Sequence, residues 1–179
     1  MPGSFEARGF AVVPEVLAES DCQAAVDAVL EQGRVESPSR AWLTHAWCQK
    51  LATSLKQHAA LAGIVAPAAV AVQCTLFEKS PDNNWLVSLH QDLSIPVRER
   101  VVGSELTGWS TKEGALFVQP PVSERGEVTA VVSRGGVLAM RPLLLHASSK
   151  AVVPSFRRVL HFVFGPPALP CRLRWAATV

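Results

Sequence analysis

The chain has 179 residues, of which 49% are hydrophobic and 18% are charged. This composition excludes an intrinsically disordered chain and favours one well-packed domain. The formal net charge of +2 argues against the strongly basic face of a nucleic-acid-binding protein.

Membrane insertion and secretion are not expected either. The longest apolar run, Leu61 to Val72, is shorter than the roughly 20 residues of a membrane-spanning helix. Met1 to Phe10 lacks the apolar core of a signal peptide. Four scattered cysteines without a CxxC pair predict reduced thiols in a cytoplasmic protein, with a disulfide pair as the alternative.

The N-terminal third carries mainly helical signals. Apolar residues after residue 20 recur at the spacing of one face of an amphipathic helix. The patterns predict a short strand over Phe5–Pro14, a helix from a cap at Ser20 or Asp21 to about Gln32, and a second helix over Ala41–His58. We expect this helical part to extend over about residues 15–66.

Beyond Pro67, short segments rich in β-branched and aromatic residues alternate with proline and glycine. They predict strands over residues 70–79, 85–93, 115–119, 128–132, 137–141, 143–148 and 157–165. Pro120-Pro121 and Pro166-Pro167 are expected to end strands, and Gly135-Gly136 to form a tight turn. The prediction is one α+β, mostly β, domain over residues 1–179. Its helices pack on one sheet of a barrel built from about residues 70–175.

The segment Leu89-His90-Gln91-Asp92-Leu93 is the most informative part of the sequence. Side chains alternate along a strand, so His90 and Asp92 are expected on one face, where both can bind the same divalent metal ion. His146 ends the apolar segment Leu143–Leu145 and is the candidate third ligand, because an unpartnered histidine there would be costly to bury. Two histidines and one carboxylate leave three coordination positions open, as in the facial triad of non-haem iron(II) oxygenases.

Other interpretations of the histidines stay open. A His-x-Asp motif also occurs by chance in proteins without a metal. We interpret His45 and His58 as helix-surface or core residues, and His161, beside Phe162 on a strand, as structural rather than catalytic. The metal assignment depends on whether the three candidate ligands meet in space.

Arg157 opens the predicted strand that follows His146. The segment between them is typical of a loop joining antiparallel strands, so Arg157 is expected near His146. A guanidinium there can bind the distal carboxylate of a dicarboxylic acid through two hydrogen bonds. Arg158 is expected on the opposite face as a surface charge, and a register shift of one residue would exchange the two roles.

These motifs resemble the phytanoyl-CoA dioxygenase-like branch of the 2-oxoglutarate oxygenases. The resemblance covers most of the chain and rests on Phe5–Pro14, Trp85–Val97 with its His90-Gln91-Asp92, Gly108–Pro121, and Met140–Ser149 followed by Arg157-Arg158-Val159. It implies a double-stranded β-helix (a cupin-like jelly roll), with iron(II) bound by His90, Asp92 and His146. It implies 2-oxoglutarate and dioxygen as co-substrates, with Arg157 on the C5 carboxylate of 2-oxoglutarate. Lys79 is then either a second positive contact or a solvated surface lysine.

The resemblance also implies hydroxylation of a small organic substrate with release of succinate and CO2. The chain departs from the family pattern between Val122 and Ala130, where few residues replace two core strands and a glycine-rich segment. We interpret this as a deletion in the central barrel strands. The alternatives are a degenerate barrel that binds metal or ligand without turnover, and a cupin-like metalloenzyme that needs no Arg157. Three aromatic residues near the motifs are expected either to form an apolar wall of the substrate site or to pack in the core: Trp85, Trp109 and Phe117.

Overall fold

The computed structural model describes residues 2–33, 38–92, 94–101, 106–119, 129–152 and 156–179. In these residues the helices are α1 (Pro2–Arg8), α2 (Glu19–Leu30) and α3 (Ala46–Gln57), with 3-10 turns at Trp42–Thr44 and Ala59–Leu61. The strands are β1 (Phe10–Val13), β2 (Val70–Lys79), β3 (Val87–His90), β4 (Ile95–Val97), β5 (Thr107–Lys112), β6 (Ala115–Gln119), β7 (Val137–Met140), β8 (His146–Ser148) and β9 (Arg157–Gly165). None of these helices has the length and apolar character that a membrane crossing demands.

The strands pair in small antiparallel sheets. β1 pairs with β7, β2 with β9, and β3 with β8, while β6 lies between β4 and β5. Each of the first three pairs joins an early strand to a late one. Residues that are far apart in the sequence therefore meet in one region of the fold.

The β2–β9 pair has one apolar face against the helices and a second, more polar face on the opposite side. One face is buried against the helical part in a core cluster that includes Trp42, Cys48, Cys74, Leu76 and Phe162. Directly opposed residues share a face, so the pairs Thr75↔His161 and Lys79↔Arg157 lie on the other one. The helices thus cover one side of this sheet, and the other side carries Thr75, His161, Lys79 and Arg157.

The β3–β8 pair places His90 opposite His146. Hydrogen bonds also join the chain after β3 to the segment before β8. The N–H of Asp92 donates to the carbonyl of Pro142 at 3.2 Å, and the Gln91 side chain donates to the carbonyl of Leu143 at 2.7 Å. These two hydrogen bonds hold Asp92 beside His146.

The N-terminal strand is shorter than predicted. Residues up to Arg8 belong to α1, and β1 begins only at Phe10. Gly9 makes the junction at φ 77°, a conformation that glycine adopts without steric cost. The prediction of a strand from Phe5 was therefore wrong in its first half.

The predicted helices also differ at their ends. α2 begins at Glu19, before the predicted caps, and the Asp21 carboxylate accepts the N–H of Ala18 at 3.3 Å. The helix predicted from Ala41 to His58 is interrupted at His45, whose backbone is extended. The physical reason is that Trp42 turns into the core and its ring packs on His45, with 5.4 Å between centroids.

Three strand predictions are confirmed with their bounds, namely β2, β6 and β9. The strands predicted at 85–93, 137–141 and 143–148 shorten to β3, β7 and β8. Residues 129–132 form no strand. A few residues later, the Gly135 carbonyl accepts the N–H groups of Val16 and Leu17, both at 2.9 Å, and so ties this segment to the chain after β1. Residue 128 and Pro120-Pro121 lie outside the described residues.

Candidate metal centre

His90 and His146 are cross-strand partners, and their ring centroids lie 4.2 Å apart. Each ring donates through Nδ1 to a backbone carbonyl two residues earlier, His90 to Ser88 at 2.8 Å and His146 to Leu144 at 2.9 Å. A carbonyl only accepts hydrogen bonds, so Nδ1 carries the proton in both rings. In the neutral ring this tautomer leaves the lone pair on Nε2, where a metal ion can bind.

The carboxylate of Asp92 lies between the two rings. Its Oδ1 is 3.9 Å from Nε2 of His90, and its Oδ2 is 3.7 Å from Nε2 of His146. One ligand atom from each residue lies within 4.8 Å of the other two. The structure therefore brings together the three residues chosen from the sequence, although Asp92 lies just beyond β3 rather than on it.

This set of donors suits a divalent transition metal. Two imidazole nitrogens and one carboxylate oxygen are the ligands of the facial triad. Donors about 2.1 Å from one ion stand roughly 3 Å apart when adjacent, so the two carboxylate–imidazole distances of 3.7 and 3.9 Å need to shorten by less than about 1 Å. The side chains of His90, Asp92 and His146 are 39%, 36% and 22% exposed, which leaves the centre accessible to ligands.

A third histidine adjoins the centre. Nε2 of His161 lies 3.9 Å from Oδ2 of Asp92, and the ring packs against Phe77 with 6.1 Å between centroids. Burial is the largest cause of a lowered pKa for His161; the Asp92 carboxylate opposes it, and His146 and His90 add to it.

The sequence interpretation of His161 did not anticipate this contact. A signal was available, because His161 follows Arg157 at an even spacing on an unbroken stretch of β9, and residues at such spacing share a face.

Lys79 and Arg157 meet at Ser148, the second residue after His146. Nζ of Lys79 donates to the Ser148 hydroxyl at 3.1 Å and to the Ser149 carbonyl at 2.6 Å, and Arg157 donates to the Ser148 hydroxyl at 3.0 Å. We call these three side chains, Lys79, Arg157 and Ser148, the basic pocket. None of the ion pairs formed within the described residues includes Lys79 or Arg157.

Lys79 is buried, with 3% of the residue exposed. The alternative of a solvated surface lysine is therefore wrong. Burial first, and the charge of Arg157 second, lower the pKa of Lys79. Its ammonium also lies 5.5 Å from the ring centroid of Trp85. A buried cation without a carboxylate partner in the described chain favours an external anion at this position.

Arg158 points away from the basic pocket. It forms an ion pair with Glu78, its neighbour on β2. The strand register thus places Arg157, and not Arg158, beside Lys79, as alternation predicts.

Two of the aromatic residues near the motifs belong to packed regions. Phe117 is buried with 3% exposure, and Trp109 packs against the core cluster of Val97, Val118 and Leu173. Of the three aromatic residues considered from the sequence, Trp85 is the one in contact with the basic pocket.

No protein-family profile and no curated protein matches the chain by sequence. Several solved structures do match its fold. HygX from Streptomyces hygroscopicus with iron bound has a TM-score of 0.58 at 17% identity, covering 90% of this chain and 84% of HygX. SnoN, the non-haem α-ketoglutarate-dependent epimerase from nogalamycin biosynthesis, has a TM-score of 0.60 at 14% identity, covering 92% and 81% of the two chains. AviO1 from Streptomyces viridochromogenes Tue57 has a TM-score of 0.51 at 19% identity, covering 94% and 95%.

Some of these proteins have been crystallised with ligands. HygX has been crystallised with nickel and 2-oxoglutarate, and with hygromycin B in addition, and SnoN with Fe3+, α-ketoglutarate and nogalamycin RO. At these sequence identities the likeness shows a shared fold. The particular kinship with phytanoyl-CoA dioxygenases stays a prediction, as does the deletion in the central barrel strands.

Proposed function

We propose that this protein is an iron(II)- and 2-oxoglutarate-dependent oxygenase that hydroxylates a small organic molecule. The observation that carries the proposal is that the metal-ligand group and the basic pocket share one strand, β8. His146 and Ser148 are partly buried and Ala147 between them is exposed, so the first two share a face. Alternate residues of a strand are about 7 Å apart, which suits a five-carbon dicarboxylate held at both ends.

His90, Asp92 and His146 would hold iron(II) and leave three coordination positions for the co-substrates. The metal, when bound, supplies the activation of dioxygen. The Nδ1 hydrogen bonds of the two histidines fix the ring orientations, with both Nε2 atoms beside the Asp92 carboxylate. The protein therefore places both nitrogen donors next to the carboxylate that would share the metal ion.

Lys79 and Arg157 would bind the C5 carboxylate of 2-oxoglutarate. The Ser148 hydroxyl accepts from both cations and so holds them on one point. An incoming carboxylate would neutralise the buried charge of Lys79, and charge-assisted hydrogen bonds of this kind are among the strongest that proteins make. Because Lys79 is the more buried of the two cations, we assign it the larger share of the binding energy.

The overall reaction would consume 2-oxoglutarate, dioxygen and one substrate C–H bond, and release succinate, CO2 and an alcohol. One oxygen atom would enter succinate and the other the alcohol. Small-molecule ligands in HygX and SnoN support a small organic substrate. The core cluster that joins α3 to β2 and β9 supports a single domain, and we propose that its sheets belong to a double-stranded β-helix of the phytanoyl-CoA dioxygenase-like type.

Succinate formation is the decisive measurement. Protein incubated with iron(II), 2-oxoglutarate and air is expected to produce succinate slowly, because the co-substrate turns over at a low rate without the primary substrate. The His90→Ala variant is expected to produce none. Binding of 2-oxoglutarate without succinate would favour the degenerate barrel, and succinate formation by His90→Ala would refute the assigned centre.

A further inference from the structure

His161 approaches the metal centre without joining its ligand group. Its Nε2 lies 3.9 Å from Oδ2 of Asp92. The group of residues whose ligand atoms all lie within 4.8 Å of one another contains His90, Asp92 and His146, but not His161. Among the residues that the structure describes, His161 is thus next to the carboxylate ligand and set back from the two histidine ligands.

We infer that His161 is a positioning residue that holds one oxygen of the Asp92 carboxylate, so that Asp92 offers only its other oxygen to the metal ion. The inference rests on the proposed function and adds a role to it. The contact is about 1 Å longer than an N–H···O hydrogen bond, a distance that rotation of the carboxylate can cover. Ligating carboxylates are commonly held in this way by a partner that does not touch the metal.

The position of His161 suits this role. β9 pairs with β2 at His161↔Thr75, and Thr75 is buried with 1% exposure. The ring is also supported by Phe77, at 6.1 Å between centroids. Asp92, in contrast, follows the end of β3 and is 36% exposed. The imidazole on the paired strand is therefore the better-fixed partner, and the carboxylate is the group that needs to be held.

The chemical consequence concerns the number of open coordination positions. A carboxylate bound through both oxygens would occupy one of the three positions that 2-oxoglutarate and dioxygen need. Engagement of one oxygen by His161 keeps Asp92 monodentate. Loss of this contact would also leave the carboxylate unheld, so it is expected to weaken metal binding and to change the symmetry of the bound metal ion.

Two substitutions separate this role from simple packing. His161→Leu fills the site without a donor, whereas His161→Gln keeps an N–H near the position of Nε2. His45→Leu is the matched control, since His45 packs on Trp42 in the helical part. Mn(II) binding to the full chain is measured by calorimetry without oxygen, together with the electron paramagnetic resonance spectrum of bound Mn(II) with 2-oxoglutarate and the melting temperature without metal.

We expect His161→Leu to bind Mn(II) roughly 10- to 100-fold more weakly with an altered spectrum. We expect His161→Gln and His45→Leu to retain nearly the wild-type affinity and spectrum. Wild-type affinity in His161→Leu, or an equal loss in His161→Gln, would overturn the inference even if the wild-type protein forms succinate. Failure of the wild-type protein to bind Mn(II) would overturn the proposed function as well.

Discussion

Lys79 and Arg157 face each other across β2 and β9, and both donate to the hydroxyl of Ser148. Two like charges held this close repel each other, and Coulomb repulsion is strongest where water is excluded. Ser148 is neutral and cannot compensate for them. We therefore expect an anion from outside the described chain to bind between them, and the binding of that anion gives the most direct tests of the proposed function.

The first test compares the two neighbouring arginines. Arg157→Ala is expected to weaken 2-oxoglutarate binding by about 1.5–3 kcal/mol, or roughly 10- to 150-fold, since it loses a hydrogen bond to a charged group. Metal affinity should stay nearly unchanged. Arg158→Ala is the control, because Arg158 pairs with Glu78 on the other face. Calorimetric titration of the Mn(II)-loaded proteins measures both affinities, and a larger loss in Arg158→Ala would reverse the assignment.

The second test concerns the buried lysine. Lys79→Met is expected to weaken 2-oxoglutarate binding by about 2–5 kcal/mol, more than Arg157→Ala, because Lys79 is the more deeply buried cation. A similar length of apolar side chain limits the effect on packing. An effect on 2-oxoglutarate smaller than that of Arg157→Ala would show that the ammonium does not reach the carboxylate.

Lys79 also predicts a pH dependence. Its pKa is lowered from 10.5 by burial and by Arg157, and a carboxylate binds only the protonated ammonium. The affinity of the wild-type protein for 2-oxoglutarate should therefore be highest below the lowered pKa and fall as the pH rises through it. The Lys79→Met variant should bind weakly with little change over the same interval. A parallel decline in wild type and variant would assign the pH dependence to another group.

The third test removes a metal ligand. His90→Ala is expected to abolish Fe(II) and Mn(II) binding, because only one nitrogen and one carboxylate remain in the centre. His58→Ala is expected to bind metal normally, since Nδ1 of His58 accepts the N–H of Ala60 in the helical part. Anaerobic titration with Mn(II) distinguishes the two variants, and equal loss in both would mean that the centre is elsewhere.

The fourth test concerns the fold at the end of β9. A Cβ atom on Gly165 would lie 2.4 Å from Cζ2 of Trp175, a buried residue whose Nε1 donates to the Pro166 carbonyl at 2.8 Å. Gly165→Ala is expected to lower the free energy of unfolding by about 1–3 kcal/mol, because a well-packed region must move. Urea denaturation measures the change. The cost should shrink in a Trp175→Leu background, and an undiminished cost would point to backbone strain instead.

The sequence predicted the longest strands best, and the three candidate ligands that it indicated lie together in the structure. β2 and β9 have strong β patterns because one of their faces packs in the core, so their bounds were predictable. β4 and β5 were missed, since Pro96 and the polar residues of Thr107–Lys112 hide a strand pattern. The Glu113-Gly114 pair between β5 and β6 was a sequence sign of this hairpin, because glycine favours a positive φ. In the structure the two residues have φ of 50° and 79°, which is typical of a two-residue hairpin turn.

The roles of Lys79 and His161 could not be derived from the sequence in the same way. Whether a lysine at a strand end is solvated depends on what covers it, and Lys79 is covered through Trp85 and the segment after Ser148. The even spacing from Arg157 indicates only which face of β9 carries His161. Its contact with Asp92 also depends on how β9 lies relative to the chain after β3, which no local pattern determines.

The two-sided β2–β9 pair has a practical consequence for redesign of the substrate preference. Along β9, Leu160 and Phe162 pack on the helices, whereas Val159 alternates with them and is 40% exposed. Its cross-strand neighbour Phe77 lies on the same face. Substitutions at Val159 alone would change this face while they leave the helix contacts and the Phe77 ring beside His161 in place, so that variants can be screened here with little expected effect on the helix-side core.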